Sequence, residues 1–181
     1  MAKFYDPSDI HSLDKRQIFF DANILLYIFW PTGSSWEKQY SAIFKQLLEQ
    51  KNKMVVDFIV ISEVVNRAVR IEYDKHLQAN NISRDNLTFK KYRDGSDGQE
   101  ALNVVYQIVK KNVVRKFNIA GKAFTKSDIE NFLCVDSLDF SDKGIAAICK
   151  ENSFILLTND KDFADSDLEI LTSNRRLLKK R

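Results

Sequence analysis

Short apolar segments that alternate with longer segments of helical periodicity constrain the fold of this chain more than any other feature. The short segments are rich in aromatic and branched aliphatic residues, as buried strands are, and they are too short for typical helices. Between them, apolar side chains recur at helical spacing, for example across Trp36–Leu48 and Ala101–Phe117. Strands that alternate with helices predict an α/β fold with a central, mostly parallel sheet and helices on both of its faces. The predicted strands are Gln17–Phe20, Met54–Phe58, Phe154–Leu157 and Leu168–Leu171.

Capping residues predict where several helices begin. Ser127 opens a capping signal for a short helix that ends near Cys134. Ser141 is expected to cap a helix over Asp142–Glu151. The polar stretch from Asn80 to Gly98 is the most loop-like part of the chain, although residues 87–92 also have the pattern of a short helix.

Size and composition place the chain among ordinary globular proteins. Its 181 residues are enough for one domain with a sizeable core, and only five Gly and two Pro argue against long flexible linkers. The net charge of +3 permits a nucleic-acid partner without requiring one. The most apolar run falls far short of the roughly 20 residues of a membrane helix, and no signal peptide is evident, so the protein is predicted to be cytoplasmic and not membrane-bound. The two cysteines, Cys134 and Cys149, are expected to be reduced and buried.

Four acidic residues fall at the predicted strand ends or in the first turns of the helices that follow. Asp21 and Asp160 come after strands, whereas Glu63 and Asp142 lie near helix starts. Ligands of open parallel sheets bind outside the carboxyl ends of the strands, so these four acids are expected to converge at one edge. Any one of them, taken singly, has the simpler interpretation of a helix cap or turn residue. Asp21 is the exception, because it interrupts an otherwise apolar stretch and therefore needs a partner or a metal.

Clustered carboxylates predict a bound cation. Like charges at close range raise one another's pKa values unless a positive charge compensates them. Mg²⁺ prefers oxygen ligands and works beside phosphates, where it activates water and neutralises charge. The sequence leaves open whether one metal or two would bind.

The segments around these acids resemble the motifs of the PIN-domain family, which includes the VapC-like ribonucleases. The first motif is an apolar strand followed by Asp21-Ala-Asn23, and the last has the form Thr-x-Asp-x-Asp-Phe from Thr158. Each motif is weak alone, but four in the right order are fairly specific. The matching segments are Ile18–Leu25, Ile59–Val65, Asp139–Ala147 and Leu156–Phe163.

The resemblance implies an α/β/α sandwich that hydrolyses phosphodiester bonds, usually of RNA, with Mg²⁺ or Mn²⁺. It makes Asp21, Glu63, Asp142 and Asp160 the catalytic and metal-binding acids. Asp162 matches a more variable acid that would be an additional metal ligand. Asn23 and Thr158 match supporting polar residues. The cleavage products would carry 5′-phosphate and 3′-hydroxyl ends.

Many small bacterial relatives are toxins that pair with an antitoxin and form homodimers, and the resemblance extends both expectations to this chain. The chain is expected to be a single domain over residues 1–181. Its middle section, at about 72–134, is longer than in those relatives and does not align with them. That section is the preferred candidate for contacting RNA, against the simpler interpretation that its cations are a solvated face. The candidate RNA-binding residues are Lys90, Lys91, Arg93, Lys110 and Lys111.

Other classes of protein fit the sequence less well. The two histidines lie in polar segments, and there is no nucleophile elbow, zinc-ligand spacing or P-loop. A haloacid dehalogenase-type phosphatase would have a second acid where this chain has Asn23. Two alternatives stay open: a catalytically inactive PIN-like module that binds RNA or a protein partner, and a metal-dependent phosphohydrolase of small molecules.

Overall fold

A six-stranded, wholly parallel sheet forms the centre of the computed structural model, which describes residues 2–179. The strand order across the sheet is β1-β6-β5-β2-β3-β4, so the strands β5, β2 and β3 that precede the predicted acids are neighbours. The strands are β1 (Lys3–Tyr5), β2 (Gln17–Phe20), β3 (Lys53–Val56), β4 (Asn118–Ile119), β5 (Ile155–Leu157) and β6 (Glu169–Leu171).

The central strand β2 sets the register that brings distant segments together. Phe20 lies beside Leu157 of β5, and Phe19 lies beside Val55 of β3. The backbone N–H of Asp21 continues the ladder by donating to the carbonyl of Leu157 at 3.1 Å. Side chains on both faces of β2 are fully buried, as expected for a parallel strand between two helical layers.

Eight α-helices lie within the described residues 2–179. Most of their buried side chains, together with those of the strands, form one large hydrophobic core. Aromatic contacts run through this core; the rings of Phe20 and Phe117, for example, lie edge to face with centroids 5.0 Å apart. The helices are α1 (Ala22–Phe29), α2 (Trp36–Glu49), α3 (Phe58–Asn80), α4 (Phe89–Asp94), α5 (Ser96–Ile108), α6 (Lys126–Phe132), α7 (Phe140–Asn152) and α8 (Arg175–Leu178).

This architecture confirms the predicted α/β fold with a parallel sheet. Within residues 2–179, no helix is long and apolar enough to cross a membrane.

The second predicted strand ends earlier than the sequence suggested. Strand β3 stops at Val56, and Phe58 opens α3 with 78% of its surface exposed. The strand ends here because Asp57 caps α3. The buried carboxylate of Asp57 accepts a hydrogen bond from the backbone N–H of Val60 at 2.8 Å. The apolar character of Phe58 suggested burial, but the side chain lies on the surface.

Two predicted helix caps were also wrong. Helix α6 is capped by Thr125, which forms a reciprocal capping box with Asp128, and not by Ser127. Helix α7 is capped by Asp139, which accepts the backbone N–H of Asp142 at 2.8 Å, and not by Ser141. Ser, Thr and Asp are nearly equivalent as caps, so the choice among neighbouring candidates depends on tertiary contacts.

The two cysteines differ in exposure. Cys149 is buried in α7, as expected, but Cys134 is exposed, because it lies in the loop after α6 rather than in the core.

The long middle section folds mainly as helices against α3. The second half of α3, α4 and α5 pack together around a small separate cluster of Tyr73, Leu77 and Tyr92. A short π-helical segment, Val109–Val114, extends α5 towards the two-residue edge strand β4. Within the stretch from Asn80 to Gly98, the expected loop is confined to residues 81–88, and the short helix that the pattern allowed at residues 87–92 is present as α4.

Candidate functional site

Asp21 lies at the centre of the site because two neighbouring polar residues hold its carboxylate. It directly follows β2, and only 4% of its surface is exposed. Oδ2 of Asp21 accepts a hydrogen bond from Thr158 Oγ1 at 2.6 Å and another from Asn23 Nδ2 at 2.6 Å. Although Asp21 occupies the position before α1, its side chain makes no capping hydrogen bond. Asp21 therefore stands at the N-cap position of α1 without the hydrogen bond of a capping side chain.

Thr158 joins Asp21 to the loop that follows β5. Its fully buried hydroxyl donates to Asp21 and accepts the backbone N–H of Asp160 at 2.9 Å. One hydroxyl thereby fixes the acid after β2 relative to the acid after β5. The supporting role that the family resemblance implies for Thr158 stays a prediction.

Tyr40 of α2 supports the same loop from the other side. Its buried hydroxyl lies 3.0 Å from Asn159 Oδ1 and 3.2 Å from the carbonyl oxygen of Thr158, to both of which it can donate. The ring of Tyr27 stacks on that of Tyr40, and Asn159 Nδ2 donates to the Tyr27 hydroxyl at 3.2 Å. The sequence patterns did not indicate this contact of the two tyrosines with the site.

Glu63 and Asp142 approach the same region from two helices. Glu63 lies in the second turn of α3, where its Oε1 accepts from Arg67 Nη1 at 2.9 Å. Asp142 lies in the first turn of α7. Asp139 caps this helix, so the Asp142 carboxylate is not needed as a cap. A Cβ at Gly144 would lie only 2.8 Å from Ile59 Cδ1, so this glycine allows α7 to pack closely against α3.

The four predicted acids interact electrostatically with one another. Burial, the largest cause, and the charges of Glu63 and Asp160 together raise the pKa of Asp21 to about 6, against the hydrogen bond from Thr158. Burial, again the largest cause, and the charges of Asp139, Asp21, Asp160 and Glu63 together raise the pKa of Asp142 to about 7. Each of the four acids therefore interacts with others that are distant in sequence.

The side-chain atoms that the site offers as metal ligands suit a hard divalent cation. They are oxygen atoms, and Oδ1 of Asn23 is buried with no hydrogen-bond partner. The carboxylates are not gathered tightly: among residues 2–179, no three His, Cys, Asp or Glu side chains lie close enough together to hold one ion. Glu63 is paired with Arg67 at 2.9 Å.

The remaining predicted site residues, Asp162 and the five candidate RNA-binding cations, are exposed. Asp162 is exposed in the 3-10 helix Lys161–Asp165, and its backbone N–H donates to Asp160 Oδ1 at 2.9 Å. The five predicted RNA-binding cations are all exposed, three on α4 and two on the π-helical segment, and Arg93 pairs with Asp94. Their contact with RNA stays a prediction.

Asp139 is the acid that sequence reasoning missed. It was quoted within the third motif but was given no role, whereas the structure shows it capping α7 and raising the pKa of Asp142. The sequence did contain a signal for this role: Asp139 is a favoured cap residue and lies three positions before the candidate ligand Asp142.

The fold and the site together define an α/β protein with a carboxylate cluster at the carboxyl ends of its central strands. The model of the PIN domain family matches residues 18–168, which include all four acids. The chain belongs to the PIN domain family.

Solved structures with the same fold are distant in sequence. FitAcB from Neisseria gonorrhoeae is 14% identical, with a TM-score of 0.52, and the match covers 85% of this chain and 96% of that one. PAE2754 from Pyrobaculum aerophilum is 12% identical, with a TM-score of 0.50, and the match covers 92% of this chain and 90% of that one. At such identities these likenesses show the fold alone. No curated protein matches the sequence.

Proposed function

We propose that this protein is a divalent-metal-dependent endoribonuclease. The observation that carries the proposal is Asp21, a buried carboxylate that caps nothing, is held by Thr158 and Asn23, and is coupled to other acids. Two acids with raised pKa values that interact with charges from distant segments are more typical of a functional site than of a structural role. Membership of the PIN domain family supports nuclease chemistry at this cluster.

The residues that would hold Mg²⁺ or Mn²⁺ are Asp21, Glu63, Asp142 and Asp160, with Asp162 as an additional candidate. When bound, the cation supplies activation of water and neutralisation of charge at the phosphodiester. Thr158 and Asn23 orient Asp21, and the backbone N–H of Asp162 orients Asp160. The raised pKa of Asp142 makes protonation compete with ligand binding near neutral pH.

The proposal is tested by cleavage of mixed cellular RNA by the purified protein, with Mg²⁺ or Mn²⁺ and with a chelator. Asp21→Asn removes one charge and keeps the size of the side chain, and we expect it to reduce cleavage by more than about 100-fold. Asp85→Asn, which changes an exposed acid in the loop before α4, is the matched control and should cleave normally. Products should carry 5′-phosphate and 3′-hydroxyl ends.

Other outcomes would identify the alternatives. RNA binding without cleavage by the intact, metal-loaded protein would indicate an inactive PIN-like module. Chelator-sensitive hydrolysis of a generic phosphomonoester, with RNA left intact, would indicate a small-molecule phosphohydrolase. Equal cleavage by wild type and Asp21→Asn, or products with 2′,3′-cyclic phosphate, would contradict the mechanism.

A toxin role, an antitoxin partner and a homodimer are proposed on the family resemblance. Expression of the wild type should then arrest growth, whereas expression of Asp21→Asn should not. A neighbouring reading frame that relieves the arrest would identify the antitoxin. Growth unaffected by a wild type that cleaves RNA in vitro would argue against the toxin role and leave the nuclease intact.

A further inference from the structure

A cleft lined by phenylalanine rings opens directly beside the acid cluster. We call it the aromatic cleft; it has a volume of about 520 Å³ and lies between the start of α3 and the segment from Phe124 to Gly144. Glu63 lines the cleft as well as belonging to the acid cluster, so the two are continuous. The volume falls within the roughly 300–1,000 Å³ of sites that bind small organic groups.

The rings of the aromatic cleft are arranged to offer both edges and faces. Phe132 packs edge to face on Phe124, with centroids 5.6 Å apart, and on Phe140, with centroids 6.0 Å apart. Phe140 is 52% exposed and Phe58, across the cleft on α3, is 78% exposed. A single exposed ring is ordinary, but two exposed rings that line one cleft form a shared apolar surface.

The charge of the aromatic cleft excludes an anionic occupant. None of the described residues that line it is basic, whereas Glu63 and Asp139 both contribute carboxylates. A phosphate group would be repelled, but a neutral planar group with N–H donors would not. The side chains of Ser62 and Asn66 lie on the same wall and make no hydrogen bond with any described residue within 2–179, so both are available to a ligand.

We propose that the aromatic cleft is a subsite for one unpaired nucleobase of the RNA, next to the phosphodiester that is cut. The subsite rests on the proposed nuclease function, because the phosphodiester lies at the acid cluster only if RNA is the substrate. The base stacks on Phe58 and Phe140, and its edge is accessible to Ser62, Asn66 and the carboxylate of Glu63. Such a subsite requires single-stranded RNA, because a base within a helix cannot reach the rings.

The subsite is tested by the binding of a fluorescein-labelled, unstructured, single-stranded RNA 12-mer, measured by fluorescence anisotropy. The parent is the Asp21→Asn protein in Mg²⁺, which is expected not to cut the probe. Phe58→Leu and Phe140→Leu keep an apolar side chain and remove the ring, and both positions are exposed enough for the fold to survive. Tyr106→Leu, at a 52% exposed aromatic on α5, is the matched control.

Each ring-removing variant is expected to weaken RNA binding by about fivefold or more, whereas Tyr106→Leu should leave the affinity unchanged. The parent should bind the same sequence more weakly when it is held in a duplex. Equal affinities of Phe58→Leu and Tyr106→Leu would overturn the subsite, as would undetectable RNA binding by the parent. In either case the cleft would be better explained as a protein-docking surface.

Failure of the subsite and failure of the nuclease are distinguishable. Chelator-sensitive cleavage by wild type, with no dependence of binding on the rings, removes the subsite and keeps the nuclease. Ring-dependent binding of single-stranded RNA, without cleavage by wild type, keeps the base-binding cleft and removes the catalytic proposal.

Discussion

At the scale of single residues, the site depends on an unfavourable charge. Asp21 is buried beside other acids, so its ionised form destabilises the metal-free fold. The folded pKa of about 6 lies above the ordinary value of 3.8 for an aspartate. The favourable contribution of protonated Asp21 to the free energy of unfolding is therefore fully present below about pH 4. It is lost as the pH rises through about 6.

Asp21→Asn is expected to stabilise the metal-free protein at pH 7.5 while it abolishes cleavage. The pKa shift corresponds to at most roughly 3 kcal/mol in the free energy of unfolding. Urea denaturation of both proteins should show this gain at pH 7.5 and its disappearance near pH 4. A variant that is less stable than wild type at pH 7.5 would mean that the Asp21 carboxylate is a favourable structural group.

Thr158→Val should weaken metal binding by about 10- to 100-fold, because it removes the hydroxyl that joins Asp21 to the loop carrying Asp160. Thr158→Ser keeps the hydroxyl and should bind nearly as well as wild type. Mn²⁺ titration followed by electron paramagnetic resonance measures both affinities. Equal affinities of the Val and Ser variants would show that the hydroxyl does not orient the site.

At the scale of elements, the site depends on how α3, α7 and the loop between α6 and α7 are held together. The Lys143 side chain of α7 is nearly buried, and its Nζ donates to the carbonyls of Phe132 and Cys134. It also pairs with Asp136 at 3.0 Å. Lys143 therefore fixes the loop that joins one ring of the aromatic cleft to Asp139.

Lys143→Met should loosen that loop, because two backbone carbonyls and one carboxylate lose their shared partner. Hydrogen exchange measured by mass spectrometry should become faster in residues 132–139 while the central strands stay protected. Lys150→Met is the control, since that lysine lies on the same helix in an exposed pair with Asp167. Unchanged exchange in the Lys143 variant would contradict the anchoring role.

The elements also show which parts of the fold were accessible to sequence reasoning. Strand β2 and Asp21 were predictable because an acid at the end of an aromatic-rich run has few structural explanations. The end of β3 was not, because the favourable cap at Asp57 competed with the apolar pattern through Phe58, and only tertiary packing decides between them. The edge strands β1 and β4 have three and two residues, too few for a periodic signal.

At the scale of the whole molecule, the parallel topology explains why Asp21, Asp160 and the helix that carries Glu63 are neighbours, whereas Asp142 approaches them from the start of α7. Strands β5, β2 and β3 lie side by side with the same direction, so their carboxyl ends present Asp160, Asp21 and the start of α3 along one edge. The resemblance to PIN-domain motifs predicted these acids as the site, and the sheet order gives a physical reason for their proximity. Helical periodicity indicated the helices of the middle section, but not how they pack, because that depends on contacts around Tyr73 with α3.

The central claim is that these four acids form one divalent-metal site, and isothermal titration of Mn²⁺ into wild type and Asp21→Asn at pH 7.5 tests it most directly. Wild type should bind Mn²⁺ and release protons, since carboxyls with raised pKa values must ionise to become ligands. Asp21→Asn should bind at least about 100-fold more weakly. Equal binding by the two proteins, or no binding by folded wild type, would contradict the claim.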